Sequence, residues 1–133
     1  MTPEERAEFD RLFDGVLGRL PQQALEVIDR VPVILEDRPE PDLLREFGID
    51  PTGPDAHLEL CGLHTGVMDT ELEIEMDGVL PSQIHLFREA IVCHAGGWDD
   101  PGEVERQIGI TLLHEIGHQI GLDEDDLDDL GFG

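Results

Sequence analysis

The strongest constraint on this chain is a stripe of branched apolar residues set four apart: Val104, Ile108, Leu112, Ile116 and Ile120. Apolar residues recurring at that spacing predict one face of an α-helix, here from about Pro101 to Ile120. Ile110 and Leu113 add apolar surface off the stripe, so the helix is expected to be largely buried. Within it stands His114-Glu115-Ile116-Gly117-His118. Two imidazoles and a carboxylate are costly in such a place unless partners satisfy them.

The spacing of these groups suits a metal. Residues four apart on a helix point about 40° apart, one turn above the other. His114 and His118 can therefore offer nitrogens to one ion. Glu115 lies about 100° round from His114, within reach of a water beside that ion. A catalytic zinc takes three protein ligands and keeps a place for water. Gly121 stands where a glycine can stop the helix and reverse the chain. Such a turn can bring the acidic run Asp123-Glu124-Asp125-Asp126 back toward the two His, so one carboxylate there would complete the ligand set.

Upstream, Thr2-Pro3-Glu4-Glu5 reads as an N-cap, a first-turn Pro and an acidic first turn. Phe9, Leu12, Phe13, Val16, Leu17 and Leu20 follow at helical spacing, with Gly18 and Pro21 ending the helix. A second helix is expected with Ala24, Leu25, Ile28 and Val31 on its buried side. Three strands are expected: Val31–Leu35, near a sheet edge because of Pro32, Leu58–Leu63 and Ser82–Phe87. Residues 36 to 56 form a connection with a helical turn or two at Asp42–Gly48. Arg88 to Cys93 begins a short helix, and 95 to 102 is a loop. The 133 residues are read as one domain.

The formal net charge is −24, from 32 acidic and 8 basic residues, every one of the latter Arg. This balance disfavours phosphate backbones and anionic membranes. Nucleic acid and membrane are therefore excluded as partners, and a basic peptide or a cation is favoured. The start, MTPEERAEFDRLF, lacks the basic and apolar regions of a signal peptide, and no apolar stretch approaches membrane-spanning length. A cytoplasmic protein is the expectation. Cys61 and Cys93 show no CxxC spacing and read as small buried residues in a reducing compartment.

The stretch Ile110-Thr111-Leu112-Leu113-His114-Glu115-Ile116-Gly117-His118, followed by Gly121-Leu122-Asp123-Glu124-Asp125-Asp126-Leu127, resembles the small bacterial minimal zincin-like metallopeptidases. Val31-Pro32-Val33, Gly62-Leu63-His64-Thr65-Gly66 and Ile84-His85-Leu86-Phe87-Arg88 resemble further segments of that family. The resemblance implies an α+β fold. N-terminal helices and a C-terminal zinc helix would pack on a small mixed sheet of about three to four strands. It implies one zinc ion per chain and, from the HExxHxxGxx(Asp/Glu) pattern, Glu124 as third ligand, with Asp125 and Asp123 as near alternatives. It also implies a peptide or protein substrate, with Glu115 as general base. Larger metzincins carry a Met-containing turn after the zinc helix; here Met1, Met68 and Met76 all precede it.

The stabiliser of a tetrahedral intermediate is less evident. The chain has no Tyr. The metal itself, a backbone N–H, His85, His94 and Arg88 are the candidates, and Arg88 is expected to pair with carboxylates instead. His57 and His64 are expected to be ordinary surface or core residues. Gly109 and Gly117 each cost a helix about 1 kcal/mol against Ala, which suggests close approach of another backbone. The competing function is a zinc-containing peptide-binding or regulatory domain with little turnover. A zinc-dependent RNA hydrolase is disfavoured by the charge and by the lack of a third His after His118.

Overall fold

A computed structural model describes residues 1–66 and 82–121. Helix α1 spans Pro3–Leu17 and begins in a capping box. The Glu5 amide donates to the Thr2 hydroxyl, and the Thr2 amide donates to the Glu5 carboxylate, both at 3.1 Å. This satisfies backbone donors that have no partner inside a helix. Phe9, Leu12, Phe13 and Val16 form its buried face. Helix α2 spans Gln22–Ile28 and buries Ala24 and Val27. Leu25 and Ile28 are only half-buried, so the buried face is rotated from the expected one. Val31, just beyond the helix, is buried.

Strand β1 is Val33–Glu36, helix α3 is Pro41–Glu46, strand β2 is Gly62–Thr65 and strand β3 is Gln83–Phe87. Helix α4, Arg88–His94, follows β3 directly, and helix α5 is Pro101–Gln119. The sheet has the order β1-β3-β2, with β1 parallel and β2 antiparallel to β3. Pro32 precedes strand β1, which among the described residues is an edge strand, where a missing N–H breaks no ladder; its carbonyl accepts from the Ile84 amide at 2.9 Å. The fold is thus α+β with a small mixed sheet, as expected.

The strand expected at Leu58–Leu63 begins later. Ala56–Leu58 form a 3₁₀ turn, closed by the Leu58 amide on the Asp55 carbonyl at 3.0 Å. The alternation of Leu58, Glu59 and Leu60 arises from a local turn, and sheet pairing starts only at Gly62.

Register decides what faces the long helix. Gly62 pairs with Leu86 and His64 with Ile84, whereas Leu63 pairs with His85. Cross-strand partners share a face. Gly62, His64, Ile84 and Leu86 therefore lie on one side, toward α5. Leu63, His85 and Phe87 lie on the other. The main core joins Ile84 and Leu86 to Phe9 and Leu12 of α1 and to Val104, Ile108, Leu112 and Ile116 of α5. A smaller cluster of Leu63, Phe87 and Ala90 covers the opposite face. Burying each large apolar side chain contributes about 1.5–3 kcal/mol, so α5 is held mainly by this stripe.

Candidate metal centre

Helix α5 starts on an Asp100 cap, whose side chain accepts from the Glu103 amide at 3.3 Å, and on Pro101. It ends at Gly121, whose φ of 87° is the left-handed value expected there; its amide donates to the His118 carbonyl at 3.1 Å. Between these ends Val104, Ile108, Leu112 and Ile116 face the core, whereas Ile120, expected on the same stripe, lies past the last turn as the C-cap and is exposed; His114, Glu115 and His118 face β2. One potential ligand atom from each lies within 4.8 Å of the other two. The His114 and His118 rings stand 4.7 Å apart at 69°. Glu115 is only 9% exposed. Two imidazoles converging at this range are ligands that zinc takes, with a carboxylate held beside them, so the residues present fit the ion. The third ligand expected at Glu124, with Asp125 and Asp123 as alternatives, lies outside the described residues.

Strand β2 runs beside this part of α5. At Gly62 a Cβ would stand 2.8 Å from Thr111 Cγ2, 3.2 Å from the His85 carbonyl and 3.3 Å from Glu115 Cγ. Only glycine lets the strand come this close to the helix at Glu115. Two residues on, His64 Nε2 hydrogen-bonds Gln119 Oε1. Gln119 is 1% exposed, and this bond satisfies part of a buried amide. The backbone approach anticipated at Gly109 is absent: a Cβ there would meet only Val16 Cγ1, at an ordinary 3.8 Å. A close approach is made at Gly62.

The other histidines separate clearly. His85 lies on the far face of the sheet, bonds Glu36 Oε1 through Nδ1 at 2.7 Å and stacks near Phe87. Its alternation turns it away from α5, so it is not a group of this site. His94, at the exposed end of α4, lines a cavity with His114 and Glu115. His64 lines a second cavity with Glu115 and His118. A sequence reading gave His64 little weight because no local pattern links residue 64 to residue 119. A larger cavity, about 360 Å³, opens between α1 and α5 at Val16, Leu20 and Gly109, with none of His114, Glu115 and His118 in its lining.

Arg88 pairs with carboxylates, as expected. Its guanidinium donates to Asp10 at 3.0 Å and to Asp37 at 3.2 Å and lies over the Phe9 ring. Cys93 is exposed rather than buried, and Cys61 is half-buried. Burial, with Cys93 nearby, pushes the Cys61 thiol up to about 11. Its sulfur is not part of the ligand cluster.

An α+β fold with a buried helix presenting His-Glu-x-x-His beside a strand of a small mixed sheet defines a zincin-type metal centre. The sequence model of the zincin-like metallopeptidases matches residues 28–133, and the chain belongs to that family. The match begins at the last residue of α2, so α1 precedes it. No curated protein matches the chain. Among the described residues, no helix is long and apolar enough to cross a membrane.

Proposed function

We propose that the protein is a zinc-dependent peptidase. The observation that carries this reading is the convergence of His114, Glu115 and His118 on one face of α5, beside β2. His114 and His118 would hold the ion, with Glu124 as the third ligand. Bound zinc supplies a Lewis acid that acidifies water and polarises a carbonyl. Glu115 acts as general base on the attacking water and then carries that proton to the leaving amine. Burial beside Gly62 limits the positions its carboxylate can occupy. An extended peptide can lie along β2, which among the described residues has a hydrogen-bonded neighbour on one side only. The surplus of 32 acids over 8 bases favours basic peptides over nucleic acids.

A zinc-containing peptide-binding domain with little turnover is the second reading. It is favoured by Arg88, which is engaged by Asp10 and Asp37 and is not available to an oxyanion. Hydrolysis of a broad peptide library by the zinc-loaded protein and by Glu115→Gln separates the two. The peptidase reading expects a loss of about 10²–10⁴-fold in the variant with zinc content unchanged. Equal product from both proteins would sink it.

A further inference from the structure

The site lies in a groove whose two halves differ. Two cavities of about 280 Å³ each share Gly62 and Glu115 in their lining. The half on the His118 side is bounded by Phe47, Leu60 and Leu63, with His64. The half on the His114 side is bounded by Glu59, Cys61, His94, Ile110 and Thr111. Both linings are mixed; beyond the shared Glu115, the His118 side carries an aromatic ring and no carboxylate, and the His114 side carries the Glu59 carboxylate and no aromatic ring other than imidazole.

Phe47 is the unusual member. It is 50% exposed and, with Ile120, is one of two exposed large apolar side chains among the described residues. Its backbone is nevertheless tied down. Phe47 caps α3, and the next two amides close the helix: Gly48 donates to the Arg45 carbonyl at 3.0 Å and Ile49 to the Leu44 carbonyl at 2.9 Å. Gly48 takes the left-handed conformation, with φ 73°. A fixed turn thus presents a ring at the groove and forgoes the stabilisation that burying it would bring. A substrate side chain can recover that stabilisation, whereas on the other half the Glu59 carboxylate attracts a cation.

We propose that the groove selects peptides by the two side chains flanking the cleaved bond. A large apolar one sits against Phe47 and Leu60 on the His118 side, and a polar or basic one sits beside Glu59 and His94 on the His114 side. The inference rests on the peptidase reading and adds the substrate class.

The test uses the full chain loaded with zinc and peptides randomised on both sides of the scissile bond. Cleavage is expected to favour Leu, Ile, Met or Phe on one side only, and Lys or Arg on the other. Phe47→Ala is expected to lower kcat/KM for a Leu peptide about tenfold relative to the matching Ala peptide. Glu59→Gln is expected to reduce the Arg-over-Ala preference on the other side while leaving the Leu-over-Ala ratio in place. The same peptides are titrated into zinc-loaded Glu115→Gln, which reads the preference without turnover. Cleavage with no side preference, or an unchanged Leu-over-Ala ratio in Phe47→Ala, overturns the inference and leaves the peptidase reading intact. Phe47-dependent apolar binding without cleavage by the wild type keeps the groove assignment and removes the peptidase. Neither cleavage nor binding ends both. A wild-type dimer that Phe47→Ala turns into a monomer shows the ring to be a contact between copies and overturns the inference.

Discussion

Two polar seams cross this small protein, and they are built on opposite principles. Where α1, α4 and the segment after β1 meet, Arg88 stands between Asp10 and Asp37, and Arg6 adds a second bond to Asp37 at 2.8 Å. Each charge there meets its opposite. Where α5 meets β2, two imidazoles and a carboxylate gather within 4.8 Å, all of them electron-pair donors. Opposite charges brought together hold elements in place, while like donors brought together call for a cation from outside. The first arrangement reads as structure and the second as a site.

That contrast can be broken at several points. The largest effect is expected from metal. Zinc at about 100 times its dissociation constant should raise unfolding stability by about 2.7 kcal/mol, and a chelator should reverse the gain. His114→Ala should lose it altogether, by metal analysis and by thermal melting; retention of zinc in that variant would refute the site assignment. Arg88→Ala should cost about 2 kcal/mol in denaturant unfolding through lost charge-assisted hydrogen bonds, with zinc stoichiometry unchanged. Loss of zinc from the folded variant would mean that the two seams are not independent.

Gly62→Ala is expected to cost about 1 kcal/mol by overpacking against Thr111 and the His85 carbonyl. Because the same methyl group presses on Glu115, peptide hydrolysis should fall further than stability does while zinc is retained. An equal fall in both would make Gly62 a packing residue only. The smallest and most gradual effect is that of acid. Partial burial raises the Asp37 carboxyl, but Arg6 and Arg88 outweigh it and hold it below its ordinary value of 3.8. The Arg38 guanidinium holds Glu89 below 4.5 against its own burial. Carboxylates lowered in the folded state stabilise it fully above those ordinary values. That contribution is lost as pH falls through the lowered ones. Unfolding followed from pH 6 down to about pH 2 should show stability declining only below about 4.5, less steeply in Arg88→Ala.

The parts of the molecule written in local pattern were legible from sequence. The Thr2-Pro3-Glu5 cap, the stripe of α5 from Val104 to Ile116 and the stop at Gly121 each depend on neighbours within a turn or two, and each is present as expected; only Ile120, at the end of the stripe, is exposed. Helix α4 was legible, as was β3, whose alternation reports its own two faces. The start of β2 was not, because Leu58 and Leu60 imitate strand alternation while a turn at Asp55 bends the chain. The candidate site divides in the same way. His114, Glu115 and His118 share one helix, so spacing alone assembles them. Gly62 and His64 join them across more than fifty positions in the chain, and no periodicity records that meeting. His85 had the better sequence argument, yet its strand face directs it to Glu36.

The fit between β2 and α5 has a consequence for assembly. Two residues of strand advance about 6.7 Å and four residues of helix about 6 Å, so Gly62 and His64 fall opposite Glu115 and Gln119 nearly in step. A strand slipped by one position would turn Cys61, Leu63 and Thr65 toward the helix and bring a side chain into the gap that only Gly62 fits. The sheet can then close on the helix in one alignment alone. The notch that admits glycine acts as a proofreading gauge, and a chain that passes it has already set the depth at which the Glu115 carboxylate sits.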